Sequence, residues 1–368
     1  AKGNTAHGGP SPTWTIMVYL AADNDLDYYS ELDIKEMMSI GSTKNVNIVV
    51  LWDRWKKPSY IYQVFQNRLE ELTQSNLNGK ELNMGDPQIL REFVDFSIKH
   101  FKADHNVLIL WDHGDDFRGF AWDYDTGVQG KVDFLTHQEI IEALSGFPLD
   151  ILALDGCIMS LIDVPYEYFI KGLNIGYMVA SEGYVPVQGL PYDTILTSLV
   201  ENPRITPRDF STLMVDRYAE FYSSHGWHTT LSAIEIDEMG HVMDNAKPLI
   251  EALMNDMETY RSVITNARGQ SNLGSSEYGW DALVDFMSFV NFIGKNGPDK
   301  EISDLCDSLL GSLSSAVFYV RNSYTMEKRA GGLSIFFPPS YDSFMHNKWW
   351  YGNIYGNMQF SEVWLKFL

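Results

Sequence analysis

Two residues carry the clearest chemical signal in this chain, Cys157 and His113. Each follows an apolar run. Ile151-Leu-Ala-Leu154 leads into Asp155, Gly156 and Cys157, and Asn106-Val-Leu-Ile-Leu-Trp111 leads into Asp112, His113 and Gly114. Such runs, closed by turn residues, read as buried strands of a parallel sheet, and ligands of open α/β sheets gather at the carboxyl ends of the strands. A thiol attacks a carbonyl as its thiolate. A histidine within reach takes the proton and later returns it to a leaving amine, while backbone N–H groups meet the developing oxyanion. Gly114 and Cys157 sit at strand ends where amides are available, and Gly114 has no side chain to obstruct a substrate. Taken alone, Cys157 would be a small buried thiol. The matching grammar around His113 turns the pair into a set suited to peptide-bond cleavage.

The elements that would position this pair alternate along the chain. Thr13 to Ala22 reads as a first strand, followed by a helix to Ile40 that Gly41 stops. Val46 to Trp52 is a second strand, and Tyr60 to Phe65 a shorter one at an edge. Asp86-Pro87 opens a helix to about Lys102, Thr136 and Glu139 form a capping box, and Thr206-Pro207 opens another helix. Helix Asp163 to Lys171 precedes strand Gly176 to Ser181, and Thr229 to Ile236 is one more strand. From Asp237 the chain reads as mainly helical, over 239–266, 282–293 and 300–320, with a late strand, Gly332 to Phe337, rejoining a sheet. The expectation is an α/β fold: a mostly parallel sheet with helices on both faces, plus a mainly helical C-terminal subdomain. Residues 1–12 are expected to be a disordered leader, 13–236 the catalytic domain, and 237–368 the subdomain that packs back on the sheet. The strands of His113 and Cys157 are consecutive major strands, so their ends should be neighbours. The connection between them, from Asp115 to about Leu135, is long for an α/β loop and carries Arg118 and Lys131.

Composition sets the outer limits. A chain of 368 residues with 45% hydrophobic and 14% aromatic content is a packed globular protein. A net charge of -22 argues against nucleic acid and anionic membrane surfaces and favours cationic partners. No apolar run is long enough to span a bilayer, and the polar start lacks a signal peptide's apolar core. With only Cys157 and Cys306 present a disulfide framework is excluded, and Cys306 reads as helix core. The acidic turn Asp23-Asn-Asp-Leu-Asp27 lacks the glycine of a calcium-binding loop and reads as a strand end and helix N-terminus, as Asp123 and Asp125 do; no metal ligand is assigned.

These residues resemble the clostripain family of cysteine peptidases, of the caspase-like clan. The resemblance rests on His113-Gly114, on Asp155-x-Cys157-x-Met159, on Met17-Val-Tyr-Leu-Ala-Ala-Asp-Asn-Asp-Leu26, on Leu135-Thr136, on Leu231-Ser-Ala-Ile-Glu235 and on Gly332-Leu-Ser-Ile-Phe-Phe-Pro338. The chain departs from the family pattern at Asp115 and Asp116, at Ser160, and at Gln188, which stands where the family has an acidic residue before the turn Gly189-Leu-Pro-Tyr192. The resemblance implies a caspase-like sheet and a Cys–His dyad with no essential third member, Cys157 as nucleophile and His113 as acid/base. It also implies cleavage after Arg or Lys, with Asp155 at the base of the first specificity pocket. Glu182, at a strand end beside the presumed site, is assigned to the pocket wall or to a turn. The implied enzyme is exported and monomeric, acts on proteins or peptides with basic residues, and requires no cofactor, although calcium is compatible with the family. It should cut itself between His113 and Cys157, after Lys131. The competing readings are a non-catalytic peptide- or glycan-binding protein on the same scaffold and a metal-dependent hydrolase using Asp23, Asp25 and Asp123.

Overall fold

The computed structural model describes residues 13–128, 130–273, 282–323, 330–346 and 358–368. The chain lays down β1 (Trp14–Ala22), β2 (Val46–Arg54), β3 (Lys57–Phe65), β4 (Arg68–Glu71) and β5 (His105–Trp111). A small sheet of β6 (Gly114–Asp115), β7 (Gly119–Asp123) and β8 (Asp133–Leu135) comes next. It is followed by β9 (Leu149–Asp155), β10 (Ile175–Ala180), β11 (Thr230–Glu235), β12 (Leu283–Asp285), β13 (Val317–Asn322) and β14 (Ser334–Phe336). Nine of these strands form one sheet, in the order β13-β11-β10-β9-β5-β1-β2-β3-β4. Strands β10, β9, β5, β1 and β2 run parallel, and the flanking strands are joined antiparallel.

The connecting helices are α1 (Asp27–Ile40), α2 (Pro87–His100), α3 (His137–Leu144), α4 (Asp163–Ile170), α5 (Tyr192–Glu201), α6 (Pro207–His225), α7 (Met239–Asn255), α8 (Met257–Gln270), α9 (Phe286–Asn296) and α10 (Lys300–Ala316). Two cores explain why the central strands are apolar without a break. On β1, Ile16, Val18 and Leu20 share one core with Ile34 of α1, Leu196 of α5 and Met214 of α6. The alternate residues Met17, Tyr19 and Ala21 share the other with Phe93 of α2 and Ile140 of α3. Every residue of β1 is buried, and each aliphatic side chain so placed contributes about 1.5–3 kcal/mol. The expected caps form: Asp86 accepts from Gln88 N–H, Thr136 and Glu139 close a capping box, and Thr206 accepts from Asp209 N–H. No described helix is long and apolar enough to cross a membrane.

Several local expectations change. β3 is not an edge, because β4 pairs outside it. The helix expected through residue 320 ends at Ala316, and Val317–Asn322 instead becomes β13, which pairs with β11 and forms the sheet edge. The late strand β14 joins β12 in a separate two-stranded sheet and not the main one. The long helix expected over 239–266 breaks at Asp256, whose side chain caps α8. The long loop after His113 contains β6, β7 and β8, and α5 is an additional helix. Residues 1–12 and the cluster Trp349, Trp350, Tyr351 and Tyr355 lie outside the described residues.

Candidate active site

β5 and β9 are neighbours, with Trp111 opposite Asp155, so the turns that leave them meet at one end of the sheet. Their glycines permit the close approach. A side chain on Gly114 would strike the Cys157 carbonyl oxygen and come within 2.6 Å of Met159 Sδ. One on Gly156 would lie 2.5 Å from the Asp112 carbonyl oxygen. Gly114 therefore serves the fit between the two turns, a role beyond leaving room for substrate. The residue after the cysteine, Ile158, has φ of 50°. That conformation is strained for a β-branched side chain, and such strain concentrates at functional turns. It is held by hydrogen bonds from Ile158 N–H to Gly183 O (2.8 Å) and from Ser160 N–H to Ser181 O (2.9 Å). Ser160, one of the departures from the family pattern, donates its hydroxyl to Gly332 O at 2.5 Å and so ties the turn to the C-terminal part.

Cys157 and His113 line one cavity of about 160 Å³, together with Trp111, Asp155, Val185 and Gly189. The Cys157 sulfur is partly exposed; its S–H points to Val185 O (3.5 Å) and Val185 N–H donates to it (3.4 Å). Burial pushes the thiol above its ordinary range, and the Val185 N–H opposes that only in part. The resting group is a protonated thiol. His113 Nε2 lies 2.9 Å from Asp25 Oδ1. Because an ionised carboxylate can only accept, Nε2 carries the hydrogen and Nδ1 offers the lone pair. Asp25 comes from the turn after β1, which Asn24 braces by donating to Asp112 Oδ1 (2.7 Å) and Trp122 O (2.8 Å).

Asp155 lines the cavity with a carboxylate that is 5% exposed. Leu190 N–H lies 3.1 Å from both of its oxygens and Tyr192 OH donates at 2.9 Å. Burial pushes the carboxyl up to about 6, against the two donors. The conformation of the Leu190 turn needs Gly189, at φ 58°, whose added side chain would meet the carboxylate at 2.8 Å. Glu182 is not on the cavity wall. It is buried, its Oε1 accepts from Gly332 N–H at 2.7 Å, and it faces the buried Asp285. Lys131 is exposed on the turn between β7 and β8, whereas Arg118 is ion-paired with Asp115 and Asp116.

Sequence reading left Asp25 without a link to His113, singled out the turn Gly189-Leu-Pro-Tyr192 without linking Leu190 or Tyr192 to Asp155, and missed Val185. Asp25 had a usable signal, an acidic turn at the end of a buried strand; the others are set by long-range packing. It also separated Asp53 from the other acids. The structure brings carboxylate oxygens of Asp23, Asp53 and Asp123 within 4.8 Å of one another, with Asp53 in the place expected for Asp25.

A sequence model of the Clostripain family matches residues 18–366. Clostripain from Hathewaya histolytica is 31% identical over 218 residues, covering 49% of this chain and 41% of that protein, so the match spans less than half of the relative's length. An inactive zymogen C11 protease from Parabacteroides distasonis has the same fold, with a TM-score of 0.69 at 19% identity over 97% of this chain and 99% of that one. A secreted C11 cysteine protease from Bacteroides thetaiotaomicron, solved with an irreversible peptide inhibitor, gives 0.70 at 16% identity over 95% and 98%. With two turns meeting around a cysteine and a histidine, and a family match over almost its whole length, this chain belongs to the clostripain family of cysteine peptidases.

Proposed function

We propose that the chain is a cysteine endopeptidase that cleaves after Arg or Lys, with Cys157 as nucleophile and His113 as general acid/base. The observation that carries this reading is a single cavity lined by both side chains and by the Asp155 carboxylate. In the proposed cycle His113 Nδ1 takes the thiol proton as sulfur attacks the scissile carbonyl carbon. The oxyanion faces the N–H groups of Gly114 and Cys157. The imidazolium, held by Asp25, returns the proton to the leaving amine and leaves a thioester; water, deprotonated by His113, then hydrolyses it. These steps use no cofactor, and any calcium would act on the scaffold. Asp155 selects the basic side chain, since a carboxylate in a partly desolvated slot favours a guanidinium or ammonium. We extend to this chain the exported location suggested by the secreted relative, a monomeric state, and a division at residues 236 and 237. Glu182 is left out of the substrate contacts.

The test is a panel of fluorogenic peptides that differ only at the residue before the scissile bond. Arg or Lys peptides should be cleaved and Cys157→Ala should abolish cleavage in a folded protein, as should nearly be true of His113→Ala. Full activity in Cys157→Ala would refute the thiol mechanism.

A further inference from the structure

We propose that Trp55 and Tyr124 form a shelf for an aromatic or large aliphatic side chain of the substrate, on the leaving side of the cleaved bond. The proposal rests on the peptidase reading and extends it along the cleft. In the main sheet β10, β9, β5, β1 and β2 are successive neighbours, all parallel. The turns leaving their carboxyl ends therefore stand in a row. In order they carry Val185 and Gly189, then Cys157, then His113, then Asp25, and finally Trp55 at the tip of the two-residue turn between β2 and β3. The Asp155 carboxylate is held from the β10 side, at Gly189 and Leu190, whereas His113 stands on the other side of the cysteine. The residue before the bond therefore points toward β10. The amine that takes its proton from His113 leaves over β5 toward β1 and β2.

Tyr124 is pinned on that path. Its N–H donates to Asp23 O at 3.0 Å, which sets it against the turn after β1. Burial, and then the charges of Asp25 and Asp112, push its phenol above the ordinary value. Its ring meets that of Trp55 edge-on, with centroids 6.4 Å apart and planes at 79°, a favoured geometry for aromatic pairs. Both stay exposed, Trp55 at 39% and Tyr124 at 40%. A single exposed ring needs no explanation, but two that pack on each other beside a reactive cleft offer a ligand one apolar face. Lys56 Nζ lies 5.3 Å from the centroid of the Trp55 ring, so a cation already covers part of it. That disfavours a second cation and leaves the shelf to a neutral side chain. Strand spacing sets the position. From β9, β1 is two steps away and β2 three, about 10 to 14 Å, and an extended chain advances about 3.3 Å per residue. The shelf therefore receives about the third or fourth residue after the cleaved bond.

The experiment compares internally quenched peptides with Arg before the bond and glycines after it, except for Phe, Leu, Lys or Gly at the third and fourth positions. An Arg coumarin amide, which has no residue after the bond, is the reference. In the wild type Phe and Leu should raise kcat/KM about threefold to tenfold over Gly. Trp55→Ala should abolish that gain, read as the ratio of each peptide to the coumarin amide. Tyr124→Ala, which keeps the backbone bond to Asp23 O, should do the same. Equal rates for Phe and Gly peptides, a preference for Lys, or variants that slow peptides and coumarin amide alike would overturn the shelf. Calorimetric binding to full-length Cys157→Ala gives a readout without turnover. There the Phe peptide should bind about threefold to tenfold more tightly than the Gly peptide, and adding Trp55→Ala should erase the difference; equal binding by the parent overturns the shelf. A wild type that cleaves no peptide would sink the peptidase reading, while the calorimetric comparison would still decide the shelf.

Discussion

Asp155 is the residue whose chemistry can be separated from its scaffolding. Its carboxyl titrates near 6 because burial disfavours the charge more than Leu190 and Tyr192 favour it. Only the ionised form attracts a cationic side chain, so kcat/KM for an Arg peptide, relative to a neutral one, should fall as pH drops through about 6. Asp155→Asn should remove that dependence and weaken basic peptides about tenfold to a hundredfold, the range of a charge-assisted hydrogen bond. Equal losses on both substrate types would make the residue structural. Stability moves the other way: the folded value lies above the ordinary 3.8, so ionisation of this group opposes folding above about 6 and the penalty disappears as pH falls. The pair Asp155 and Cys157 was legible because two positions separate them at a strand end. The contacts that tune them were not. Leu190 and Tyr192 return to Asp155 from beyond β10, and Asp25 reaches His113 only because β1 lies beside β5, although three strands intervene in the chain.

At the level of elements, what could be read were strands buried on both faces and helices with side-chain caps. β1, β5 and β9 are unbroken apolar runs because each face meets its own core. β13 was misread because the apolar periodicity of α10 continues into Val317 and Val320, and pairing with β11 decides the matter. β4 has an exposed, polar sequence and exists through its pairing with β3. Joining the turns after β5 and β9 gives Gly114 a testable role. In Gly114→Ala the new methyl would meet backbone, the Cys157 carbonyl, so the turns must part. A shift of about 1 Å at reacting groups lowers rates on the order of a hundredfold, so cleavage should drop by that order and the melting temperature should fall. Gly311→Ala is the control: it lies within α10 with open space around it, and should raise stability by roughly 0.5–1 kcal/mol without touching cleavage. Wild-type kinetics in Gly114→Ala would show that the turns have slack.

At the scale of the whole molecule, the turn between β7 and β8 bears on the proposal of self-cleavage. Between β7 and β8 the turn is exposed at Gly127, Val128, Gly130, Lys131 and Val132, with Val132 at 56%. An enzyme that prefers basic residues would meet Lys131 there, while Arg118 is held against two carboxylates beside the His113 turn. We expect self-cleavage after Lys131, giving a new N-terminus at Val132 in the wild type and none in Cys157→Ala. The two pieces should stay together, because β5 of the first pairs with β9 of the second over Val107 to Trp111, and β7 pairs with β8. They should therefore elute as one species and separate only on denaturation. An uncut wild type with full activity would make the turn a permanent cover of the site and refute activation by cleavage.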